Sequence, residues 1–122
     1  MNINNLTIKA QEVLQSAMNL ARSDRNQAVE PLHMLDAIVA EDDSVGVFLL
    51  QKLGVNVGAL RSVLRQQVER LPKVEGGEVY FSRESSEAIQ KAGDFTKTFG
   101  DKYASVEHLL LGILTERSAV PG

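Results

Sequence analysis

Ser105-Val106-Glu107-His108-Leu109-Leu110-Leu111-Gly112-Ile113-Leu114 decides how the rest of the chain is read. It has the form of a short, strongly apolar helix behind a serine cap. The same form occurs 75 positions earlier, in Glu30-Pro31-Leu32-His33-Met34-Leu35-Asp36-Ala37-Ile38-Val39. His33 aligns with His108, Leu35 with Leu110, Ile38 with Ile113 and Glu41 with Glu116. An echo at fixed spacing predicts an internal repeat.

Working outward, the chain before each copy of this helix also repeats. Thr7 can cap a first helix by accepting from an otherwise unpaired backbone N–H, and Ala10, Val13, Leu14, Ala17 and Ala21 then form one apolar stripe. Phe81-Ser82 stands where Leu6-Thr7 stood, and Ser85, Ala88, Ile89, Ala92 and Phe95 repeat the small, apolar stripe. Glu12 matches Glu87, Gln15 matches Gln90 and Ala17 matches Ala92 without a gap. The polar runs Ser23–Gln27 and Phe99–Tyr103 read as the loops that lead into the histidine helices.

Pro31 suits the first turn of the second helix, whose buried face is Leu32, Leu35, Ile38 and Val39. Beyond that helix the first copy continues alone. Val45–Leu53 forms a short apolar helix stopped by Gly54, and Asn56 caps a fourth. That helix carries Leu60, Val63, Leu64, Val68 and Leu71 on one side, with Arg61 and Arg65 on the other, and Pro72 ends it. The Gly-Gly connector from Lys73 to Tyr80 joins the halves; a strand over Glu78–Phe81 could form but has no evident partner.

The predicted architecture is one all-α domain: repeat one over residues 6–71, a connector at 72–80, and a partial second copy over 81–122. At the same offset Ser44 maps to Ala119 and Gly46 to Pro121, so the chain stops where a seventh helix is expected to begin. The expectation is a piece of a longer protein, since losing two helices leaves apolar residues of the second copy uncovered.

Composition narrows the chemistry. The 122 residues are 43% hydrophobic and 24% charged, ordinary for a globular domain. A net charge of −3 argues against nucleic acid as the main partner. There is no cysteine, and Met1–Asn5 lacks the basic start and apolar run of a signal peptide. No apolar run reaches the roughly 20 residues that span a bilayer, so the expected setting is cytoplasmic, away from membranes.

Asn26–Leu35, the Glu107–Gly112 run and Arg70-Leu71-Pro72-Lys73-Val74-Glu75-Gly76 resemble the N-terminal Clp repeat domain of Hsp100 chaperones, in its ClpB-type disaggregase branch. The resemblance implies a compact helical pair of pseudo-twofold repeats attached to two ATPase modules in a homohexameric ring. It implies a non-enzymatic role: engaging unfolded or aggregated polypeptide. The isolated domain is expected to be monomeric and to bind clients at micromolar affinity or weaker. The sequence contains no G-x-x-x-x-G-K-[ST] phosphate loop, so no cofactor is expected in this chain. ATP and magnesium are expected in the ATPase modules.

The resemblance also assigns residues. Thr7, Asp101 and Glu107 match positions associated with substrate handling. The apolar groove of such domains, beside the first helix of the second copy and its histidine helix, maps to Ala88, Ile89, Ala92, His108 and Leu109. Taken alone, the same residues read as caps and core. Leu109, Leu110 and Leu111 cannot all face inward on one helix, so part of the triplet must turn toward the surface or the other copy.

The runner-up is an adaptor-docking N-domain of a protease-linked Clp ATPase. C-type relatives read phosphoarginine with an acidic residue before each histidine; here Glu107 precedes His108 but Leu32 precedes His33, which departs from that pattern. A third class, a small enzyme or metal protein built on His33 and His108, lacks recognised ligand spacing, so no metal is expected. A ring that fills a packing slot and bonds a loop carbonyl accounts for both histidines.

Overall fold

The computed structural model describes residues 5–116. Six helices follow in order: α1 (Ile8–Ser23), α2 (Pro31–Ile38), α3 (Val45–Lys52), α4 (Val57–Glu69), α5 (Arg83–Phe99) and α6 (Val106–Thr115). Their starts follow local chemistry. Thr7 accepts from the Ala10 N–H at 3.2 Å, Ser44 from Val47 at 3.2 Å, Asn56 from Ala59 at 3.0 Å and Ser82 from Ser85 at 3.1 Å. Each bond satisfies one of the four donors that a helix start leaves open. The all-α assignment holds, and α5 runs on to Phe99, one residue into the expected loop. Ala119 and Pro121, on which the truncated seventh helix was argued, lie outside the described residues.

The connector's strand does have a partner, and it comes from the other copy. β2 (Tyr80–Phe81) pairs in parallel with β1 (Ala28–Val29), bringing Val29 opposite Phe81. An isolated bridge brings Leu6 opposite Ala104, which is the same pair after exchange of the two copies. The flanking bonds repeat too: Thr7 N–H donates to Ala104 O at 2.9 Å, and Ser82 N–H donates to Val29 O at 3.0 Å. Each copy's leading segment is therefore stitched to the other copy's loop. Two-residue strands give no sequence signal of their own, because a ladder this short has no periodicity to read.

The core lies where α1, α2, α5 and α6 meet. Ala10, Leu14, Ala17 and Ala21 face it from α1, Met34, Leu35 and Ile38 from α2, and Leu109, Leu110 and Ile113 from α6. Gly112 allows α6 to lie directly on α5: a Cβ there would collide with the Ala88 carbonyl. The two arginines of α4 tie it to the ends of its neighbours, Arg61 to α2 and Arg65 to α1. Arg61 donates to Val39 O at 2.8 and 2.6 Å, while Arg65 pairs with Asp24 at 2.8 Å. The connector is anchored, with Val74 N–H bonded to Arg25 O at 2.8 Å and Tyr80 N–H to Gln27 O at 3.0 Å.

Candidate functional site

The two histidines occupy equivalent cradles that differ in the group at Nε2 and in a serine hydroxyl, Ser105 Oγ, 2.8 Å from His108 Nδ1 in the second copy. His33 Nδ1 accepts from the Glu30 N–H at 2.9 Å, and His108 Nδ1 accepts from the Ser105 N–H at 2.9 Å. These bonds place the ring proton on Nε2. In the first copy Nε2 meets Asn26 Oδ1 at 2.9 Å; in the second it meets Asp101 Oδ2 at 2.9 Å. Asn26 is buried and passes the chain on by donating to Pro72 O at 3.2 Å. The rings fill packing slots as expected, but they bond a backbone N–H and an amide or carboxylate rather than a loop carbonyl.

Burial is the main cause of the low pKa of His33, about 4, and nearby Arg65 and Lys73 add to it against Asp24. Both rings have both nitrogens committed. Among the described residues no group of three or more His, Cys, Asp or Glu is placed to hold a metal ion.

The residues assigned to the groove are not on the surface. Ala88, Ile89, Ala92 and His108 are buried, and Leu109 is only 1% exposed. They fill the α5–α6 contact that Gly112 makes close, so they cannot line an open groove in this conformation. Of the leucine triplet, Leu111 is the one turned outward. What α5 presents to solvent is aromatic. Phe95 and Phe99 stack with centroids 6.1 Å apart, and the Phe99 ring lies 6.2 Å from that of His108. Phe99 is 58% exposed, and the Asp101 carboxylate beside it is also open to solvent.

Thr7 and Glu107 do come together, at a different place. They line a cleft of about 810 Å³ between α1, the end of α2, and the starts of α3 and α6. Its apolar surface is aliphatic, from Val13, Leu20, Ala37, Ile38, Val45 and Val106. Lys9, Glu12, Glu41 and Asp43 stand around it with Glu107. Both Thr7 and Glu107 also serve their helices, Thr7 as the cap of α1 and Glu107 as an acidic group in the first turn of α6.

By the repeat offset, Ala37 and Val13 hold the positions that Gly112 and Ala88 hold in the second copy. In the second copy Gly112 lies against the Ala88 backbone, whereas Ala37 and Val13 line the cleft. Sequence reading found two of the cleft's residues but missed Val13, Leu20, Val45, Glu41 and Asp43, whose convergence depends on how α3 folds back across α6.

The fold is a pair of interlocked helical repeats whose two histidine rings are both committed to holding a loop against a helix start. The profile of the Clp repeat (R) N-terminal domain matches residues 5–121, and the chain belongs to that family. The "Chaperone protein ClpB" of Bacteroides thetaiotaomicron is 48% identical over 98% of this chain. The chain spans 14% of that relative's length. Among solved structures, the Hsp104 N-terminal domain from Candida albicans superposes with a TM-score of 0.85 at 21% identity, covering 94% of this chain and 77% of that one. A complex of the ClpV N-domain with VipB peptide gives 0.79 at 19% identity, covering 98% and 74%. No single helix among the described residues is long and apolar enough to cross a membrane.

Proposed function

We propose that this chain is the substrate-engaging N-terminal domain of a ClpB-like, ATP-dependent disaggregase of the cytoplasm. On this reading it holds unfolded or aggregated polypeptide for ATPase modules that bind ATP and magnesium outside it. The observation that carries the reading is the cleft: it is of ligand-pocket size, has an aliphatic floor, and gathers Thr7 and Glu107 at its edge. Committed histidine rings favour binding over chemistry. The peptide-bound ClpV N-domain, which shares the fold, is consistent with peptide capture by such domains. Weak capture suffices, because a tethered domain raises the local concentration of clients near the ring.

The test is a titration of the chain with an unfolded client peptide, read by backbone NMR shifts and fluorescence anisotropy. Shifts are expected at Val13, Leu20, Ala37, Val45 and Val106. Val45 is 42% exposed, so Val45→Gln removes apolar contact without opening the core. The loss expected is about fivefold in affinity, corresponding to about 1 kcal/mol for part of a valine's burial. Shifts confined to Phe95, Phe99 and Tyr103, with Val45→Gln unchanged, would move the site to the aromatic face of α5.

A further inference from the structure

Charge is distributed unevenly around the cleft. Four carboxylates, those of Glu12, Glu41, Asp43 and Glu107, face a single ammonium, that of Lys9. Lys9 lies 3.7 Å from Glu12, which takes up the one cation. Among the described residues Glu41, Asp43 and Glu107 pair with no lysine or arginine; the neighbouring Asp42 is the one that Arg61 neutralises, at 2.8 Å. Glu41 and Asp43 come from the loop between α2 and α3 and Glu107 from the first turn of α6, so two separate segments bring carboxylates to the same opening. The floor between them carries no aromatic side chain.

A client segment entering this cleft loses water from its apolar side chains while its flanks stay near the rim. Clefts lined by one sign of charge concentrate ligands of the opposite sign and repel those of the same sign. We propose that the cleft selects segments in which branched aliphatic residues are flanked by lysine or arginine, and rejects acidic segments. This rests on the cleft being the client site. Apolar contact supplies the binding, and the rim supplies the discrimination. Among the many apolar stretches an unfolded protein exposes, those next to basic residues are taken first.

The test uses three peptides of about ten residues, long enough to cross the cleft when extended. All share one valine- and leucine-rich centre and end in lysine, glutamine or glutamate. At about 50 mM salt the lysine-ended peptide is expected to bind roughly tenfold more tightly than the glutamate-ended one, the combined effect of a few exposed charge pairs. The ratio shrinks at about 300 mM salt, where the screening length is shorter. Glu41→Lys combined with Glu107→Lys reverses the order, and Asp43→Lys alone narrows it if the double variant folds poorly. Equal affinity for all three peptides, each weakened by Val45→Gln, would overturn the selectivity and leave the cleft as client site. Binding of all three that ignores Val45→Gln would overturn both.

Discussion

His33 makes the domain sensitive to acid in a calculable way. Its ring is fully buried, its Nδ1 is held by the Glu30 N–H, and its pKa is lowered from 6.5 to about 4. Below pH 6.5 the unfolded chain takes up a proton at this residue that the folded chain refuses until about pH 4. Stability from this group is therefore complete above pH 6.5 and is lost as pH falls through that window. The full shift corresponds to about 3 kcal/mol at 1.36 kcal/mol per unit, with about 1 kcal/mol gone by pH 5.5 and about 2.5 by pH 4.5. For a domain of this size, that is a sizeable share of a total of about 5–15 kcal/mol. Urea unfolding at pH 7.0, 6.0 and 5.5 measures it, above most of the carboxylate range.

Asn26→Asp supplies the comparison. It gives Nε2 a carboxylate, as Asp101 gives His108, and removes the amide donor to Pro72 O. The variant is expected to be about 3 kcal/mol or more less stable at pH 8, where a buried carboxylate faces the Pro72 carbonyl, yet flatter on the acid side, where the ring can charge against it. A His33 ring that titrates near 6.5 by NMR, or wild-type stability unchanged from pH 7 to 5.5, would refute the account.

Two packing substitutions have clear signs. Leu109→Asp puts a charge into the α5–α6 contact and should cost about 4 kcal/mol or more, seen as lost cooperative unfolding rather than as a selective binding defect. Gly112→Ala meets the Ala88 carbonyl and should cost about 2 kcal/mol by thermal or urea unfolding, whereas Ala37→Gly, its counterpart in the first copy, only removes a methyl and should cost about 1 kcal/mol through lower helix propensity.

Local chemistry made most of the fold legible. The caps Thr7, Ser44, Asn56 and Ser82 are short-range signals, and so is the stop at Gly54, whose φ of 84° suits glycine. The repeat was legible because matched positions do matched work: His33 and His108 each tie a loop to the start of its helix. Where the copies part, the sequence carries less. At matched positions Gly112 lies against the Ala88 carbonyl while Ala37 lines the cleft, a contrast that depends on the backbone of another helix and is not visible in the pair of residues alone. That is why Ala88, Ala92 and Leu109 could be placed on the right helices while their burial in the α5–α6 contact stayed unreadable. Small residues permit either an open groove or a close contact, and only a partner such as Gly112 selects between them. The acidic rim has the same origin. Glu41 and Asp43 read as a polar break between helices until α3 turns back across α6 and sets them opposite Glu107. The proposed selectivity then rests on Glu41 and Asp43, which no motif marks, together with Glu107 from the second histidine run.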